Sequence, residues 1–233
     1  SVPAQTFASL TGTPTTIAGY GITDALALGT TSTTALAGDT ALFDSTTTNV
    51  ELGANAGTTN QGSDTVAIGN SAGNANQTAK AVAIGDWSGK TDQGASAVAL
   101  GHLAGTTNQG DRATALGHYA GANDQSSNAI AVGYNAAYEN QGSQAIAIGA
   151  SSANNQGANA VAIGSSAANN TQSEKAIAIG FEAGNGTQGA SAVAIGDEAG
   201  KTAQSTKAIA IGRDAGSTGQ GTLTIAIGDQ AGQ

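Results

Sequence analysis

Along most of the chain one apolar phrase returns at a nearly fixed interval: Ala-(Val/Ile)-Ala-(Ile/Leu)-Gly. Large and small side chains alternate within it, and the large ones are mostly β-branched, a period-two pattern that predicts a short strand. The phrase closes at Gly53, Gly69, Gly85, Gly101, Gly117, Gly133, Gly149, Gly164, Gly180, Gly196, Gly212 and Gly228, in steps of 16 residues except for the 15 from Gly149 to Gly164. A fixed short period means stacked units that each touch only their neighbours. The unit is too short for two packed helices, so the pattern predicts an all-β fold: a parallel β-solenoid, or β-roll, with one coil per repeat. With rungs about 4.8 Å apart, the array would be roughly 55 Å long.

Between phrases the consensus is polar: Gly-x-x-Ala-Gly-x-x-x-Gln-(Gly/Ser/Thr)-x-x. The closing Gly is expected to bend the chain, Ala-Gly to start a second short segment, and the trio before Gln to form a turn. The two positions after the closing Gly vary freely, as in Asp86-Trp87, His102-Leu103 and His118-Tyr119, and read as solvent-facing. The large strand residues, such as Val82 and Ile84, are expected to point into the coil. The middle Ala of the phrase fails only at Glu51. A water-facing side would not need Ala in every copy, so this second face is expected to pack against another chain.

One Gln occupies the same place in every complete repeat: Gln61, Gln77, Gln93, Gln109, Gln125, Gln141, Gln156, Gln172, Gln188, Gln204 and Gln220. Stacked amides can hydrogen-bond along the axis and satisfy turn backbone, so this column is predicted to be a structural ladder. Lys80, Lys175 and Lys207 appear only on alternate rungs, a spacing that keeps like charges apart.

Composition agrees with a thin, repeated core. Aromatics are 3% and charged residues 10% of the 233 residues, while Gly contributes 35. That leaves few large side chains for a thick one. Both prolines, Pro3 and Pro14, lie in residues 1–48, with Thr-rich patches at 30–34 and 46–48. Residues 49–233 contain no proline, as stacked strands require. The chain thus divides into an N-terminal module with a Thr-rich neck (1–48) and the repeat array (49–233), which is incomplete at its C-terminal end. Because it starts without Met and stops partway through a repeat, it reads as a fragment. The net charge of −9 argues against a sequence-independent grip on nucleic acid. There is no Cys for a disulfide framework or thiolate metal site. No apolar run approaches a membrane span, and the first residues do not form a signal peptide.

Two stretches carry a family resemblance. The repeats AVAIG, AIAIG and AVALG followed by xxAG resemble the head repeats of trimeric autotransporter adhesins. That resemblance implies left-handed parallel β-rolls in which three chains pack side by side or intertwine. The stretch PTTIAGYGITDA, residues 14–25 within 7–26, resembles a module of bacteriophage tail-fibre proteins. Together the resemblances imply a homotrimeric tail-fibre segment located in the virion. It would contact other tail components and a host-surface glycan or protein, without inserting in a membrane.

Candidate chemistry is sparse. Trp87, His102, His118, Tyr119 and Tyr134 gather on variable positions within 85–139 and form the candidate receptor site, because aromatic faces stack on sugars. The alternative reading is that these rings cover gaps between coils or subunits. His102 and His118 occupy equivalent places in adjacent repeats, yet on an outward position, and no metal site is assigned to them. Glu182, Glu198 and Asp214 form a column expected to be neutralised by Lys201 and Arg213 rather than by Ca²⁺. Glycan hydrolysis needs two carboxyl groups facing one pocket, and the even repeat length leaves no inserted loop to wall one. No enzyme activity and no cofactor are therefore expected. The leading reading is a structural and adhesive segment of a phage tail fibre. The alternatives are a bacterial trimeric autotransporter adhesin head at the cell surface, an ice-binding β-solenoid and a glycan depolymerase.

Overall fold

The computed structural model describes residues 48–232, together with the backbone of Ala35–Leu36 and Thr40–Ala41. The tail-fibre-like stretch 7–26 lies outside the described residues. Those described contain strands and turns but no helix. The array is a parallel β-solenoid of about eleven turns, repeating about every 16 residues. Each coil gives one strand to a 12-stranded parallel sheet running from Val50–Leu52 to Ile225–Ile227. A second parallel sheet of nine strands runs from Ala75–Gln77 to Ala203–Gln204. Equivalent residues pair without slip, Ala83 with Ala99 and Gln93 with Gln109. The 15-residue step is absorbed between Ala153 and Gln156, so Gln141 still pairs with Gln156 and Ile146 with Val161.

The second sheet corrects the expectation of a turn before Gln. In the N-terminal half that segment is a strand, as in Thr91–Gln93 and Thr107–Gln109. The turns instead fall after the closing Gly and after Gln. The residue before Gln takes a left-handed backbone, with φ of 57° at Asn76, 56° at Asp92 and 53° at Asn108. Asn and Asp tolerate that region best among non-Gly residues. Their side chains also bond from rung to rung, as from Asn76 Nδ2 to Asp92 Oδ1 at 2.7 Å. After Gly149 this column is lost and the second strand shortens to two residues, as in Thr171–Gln172.

The phase of the first sheet is the reverse of that expected. The middle alanines, among them Ala83, Ala99, Ala115, Ala131 and Ala147, are wholly buried within a single chain. From Ala99 onward they form one core with the alanines of the turns, such as Ala104, Ala120 and Ala136, while Ala67 and Ala83 form a second with Ala56 and Ala72. Val82 and Ile84 point outward and are only half-buried. The cause is the narrowness of the coil. A Cβ placed on Gly89 would lie 3.1 Å from Ala83 Cβ and 2.7 Å from the Gln93 amide carbon. Opposite walls are already in contact through methyl groups, and nothing larger fits between them. Alanine is therefore required by the coil's own interior, and the Val/Ile/Leu face is the one turned outward.

The closing glycines hold the coils in contact. Gly101 has φ of 130°, and a Cβ there would meet the Gly117 carbonyl oxygen at 2.6 Å. Only glycine combines that backbone with that approach.

Candidate functional site

Ten amides form an axial ladder. Each Nε2 donates to the Oε1 of the next Gln, from Gln77 to Gln93 at 2.9 Å through to Gln204 to Gln220 at 3.1 Å. The same nitrogen also donates to a carbonyl of the first sheet, as from Gln109 to Val98 at 2.9 Å. The amides are buried, yet both N–H groups find partners, which makes a polar core affordable. Gln61 does not join the ladder. Its Nε2 turns to the carbonyls of Gly73, at 2.8 Å, and Thr59, at 3.1 Å. The cause is Glu51, whose carboxyl lies against Gly57, where the amide stands in later coils.

Gln109→Ala is predicted to cost about 2–4 kcal/mol per chain, because it leaves the Gln93 N–H and the Gln125 oxygen buried without partners. Asp86→Ala, at an exposed position, should move the melting midpoint far less. Urea melts of the two variants compare them directly, and equal midpoints would contradict a ladder that stabilises the core.

The five candidate receptor residues do not form one flat platform. His102, His118 and Tyr134 occupy the first position after the closing Gly on successive rungs. The imidazoles stack with centroids 4.9 Å apart and planes 17° apart, and Tyr134 follows His118 at 5.4 Å. Tyr119, from the neighbouring column, leans on His118 at 4.3 Å and on His102 at 6.1 Å. Tyr138, an aromatic of the same stretch that the sequence reading left out of the candidate set, supports Tyr119 edge-on at 5.6 Å. Its Gly-x-x-x-x spacing from Gly133 was the available signal. Trp87 stands apart, with Lys90 Nζ 3.5 Å from its ring centroid, a cation–π contact within the chain.

Much of the π surface thus faces other groups of the same chain. Sideways the column offers imidazole N–H groups, phenol hydroxyls and the Asp86 carboxylate, whose Oδ2 lies 3.6 Å from His102 Nε2. Beyond Tyr134, itself 54% exposed, the column continues with the small Ala150 and Ser165. That leaves room for a ligand against the tyrosine ring. The arrangement suits hydrogen bonding along an edge combined with a single apolar stacking face.

Farther along the rod, Lys201 Nζ bridges Glu182 at 2.6 Å and Glu198 at 3.0 Å. Hydrogen bonds to Glu182 and then Glu198 raise the Lys201 pKa above its usual value. Its folded value being raised, this contribution is complete below the ordinary lysine range and fades as pH climbs through the folded one. Against expectation, Arg213 makes its salt bridge outside this column. It pairs with Asp229 one rung on, at 2.9 Å. Those hydrogen bonds to Asp229 raise its pKa, to which the nearby Asp214 charge also contributes. Among the described residues no three His, Asp or Glu side chains gather as a metal site. Among the described residues no helix is long and apolar enough to cross a membrane. No family model, curated protein or solved structure matches this chain.

Proposed function

We propose that this chain is a structural and adhesive rod segment of a phage tail fibre. In this reading it works in the virion as a parallel homotrimer and helps attach it to a host surface, with no catalytic role. The observation that carries the reading is the outward face of the 12-stranded sheet. Leu52, Leu100, Leu116, Ile148 and Ile163 on that face are 36–41% exposed, and the Val, Thr or Ile column beside them is half-buried. Monomeric proteins rarely expose so long an apolar patch. Its side chains repeat at the rung spacing, so another copy of the array in register fits every row. The PTTIAGYGITDA stretch supports a fibre, and the AVAIG-xxAG repeats equally support the alternative, an autotransporter adhesin head.

Host recognition along the side of the rod is assigned to Trp87, His102, His118, Tyr119 and Tyr134, with a glycan as the favoured ligand. A trimer presents three such patches, and avidity strengthens weak individual sites. The test compares cell binding by assemblies carrying Trp87→Ala with Tyr119→Ala against assemblies with Glu182→Gln and Glu198→Gln. The aromatic pair should reduce binding and the glutamate pair should not. Parent-level binding by the aromatic variant would make this segment a shaft without a lateral site.

A further inference from the structure

The outward face of the 12-stranded sheet has two edges that differ in charge. On the edge leading into each strand, one residue per coil sits in a left-handed turn, with φ of 63° at Lys80, 57° at Arg112 and 59° at Lys175 and Lys207. All four side chains are exposed, and from Lys80 to Leu223 this column holds no carboxylate. On the edge leading out, the first position after each closing Gly, stand Asp86, Asp197 and Asp229 and the rings of His118, Tyr134 and Phe181. Among the described residues Lys80 and Lys207 have no ion-pair partner. Arg112 gives only its Nε, to Asn128 Oδ1 at 2.9 Å.

The two edges match rung by rung. Lys80 and Asp86 flank the strand Val82–Ile84, and Arg112 and His118 flank Thr114–Leu116. Lys175 and the exposed ring of Phe181 flank Ile177–Ile179. Lys207 and Arg213 flank Ile209–Ile211, but Arg213 is already held by Asp229, and Asp197 and Asp214 also bear on it. That corner is therefore net negative. Each basic residue thus has a carboxylate or an aromatic face on the same rung of the opposite edge, and a cation is attracted to both. Within one chain the strand lies between them.

Copies related by an axis along the rod bring the leading edge of one against the trailing edge of the next. In a closed ring all copies stand at the same height, so residues of the same rung meet. An antiparallel pair on the same face would instead set like edges together, base on base. Resting on the reading that copies meet on the Val/Ile/Leu face, we propose that they join at a charged seam. In it the Lys/Arg edge of one copy lies, rung on rung, against the Asp/aromatic edge of the next. The seam selects the parallel arrangement, which the apolar rows alone leave open. It also makes the candidate receptor column a shared one, because the His118 rung receives the guanidinium of the next copy's Arg112.

The chain has no Cys, so introduced thiols meet no others. Ser96 and His102 are exposed, flank Val98–Leu100, and can be replaced without touching a Lys, Arg or Asp of the seam. The full chain carrying Ser96→Cys with His102→Cys, treated with a short bismaleimide, should run mostly at three chain masses on a denaturing gel. Ser96→Cys with Ala150→Cys places the thiols three rungs, or roughly 15 Å, apart along the seam and should stay at one chain mass. A link there would put the copies out of step and overturn the proposal. A covalent dimer from Ser96→Cys alone would overturn it too, by showing leading edges in contact. An unlinked Ser96→Cys, His102→Cys chain that still sediments at three chain masses would overturn the seam and spare the trimer. Sedimentation of the parent at one chain mass would end both.

Discussion

A chain carrying Ala147→Glu is expected to lose cooperative melting in the coils around Gly149, at a cost of at least about 3 kcal/mol. Ala147 is wholly buried, and its neighbours leave no room and no free donor. The adjacent amides of Gln141 and Gln156 are committed to each other and to strand carbonyls. Glu51 shows what a carboxyl at this position demands, since Gln61 leaves the ladder to make way. At the end of the rod that costs one rung. In the middle, Gln156 would have to leave, which breaks the ladder on both sides. Ala150→Glu, three residues away and exposed, should stay within about 0.5 kcal/mol of the parent. Urea melts that coincide for the two variants would show that the alanines do not form the core.

The second large effect is on assembly. Ile148 and Ile163 pair on adjacent strands with their side chains on the outer face. Ile148→Glu with Ile163→Glu should leave the coil folded, because neither side chain enters it. Paired carboxylates one rung apart would, however, be buried without partners if copies meet on this face. Circular dichroism should therefore retain the strand signal while the sedimenting mass falls to that of one chain. A mass unchanged from the parent would mean that the face is not an interface.

The period, the parallel stacking and the Gln column were legible because every coil repeats the same local problem. The phase of the strand was not. Val82 and Ile84 are more hydrophobic than Ala83, and hydrophobicity alone puts them inside. In a coil where Gly89 and Ala83 face each other at contact distance, volume decides, and the smallest side chain takes the interior. Shifting a strand by one residue exchanges its two faces, so this single misreading placed the expected interface on alanine instead of on the Val/Ile/Leu face. The second sheet was missed because trios such as Lys90-Thr91-Asp92 look like loop sequence, and only pairing with the next coil makes them strands. Gln61 looked like its ten equivalents because its displacement depends on Glu51, less than one coil earlier in the chain. For the candidate site the sequence placed His102 and His118 in one column. It could not show that the rings would stack on each other rather than face outward, since that follows from side-chain torsions.

The account rests most on the outward sheet being the surface where copies meet, and sedimentation equilibrium of the folded parent tests it most directly. The account predicts a species of three times the 22.3 kDa chain mass, and a single-chain mass for the Ile148→Glu, Ile163→Glu variant. A parent that sediments as one folded, stably melting chain, with its Val/Ile/Leu face open to water, would contradict it.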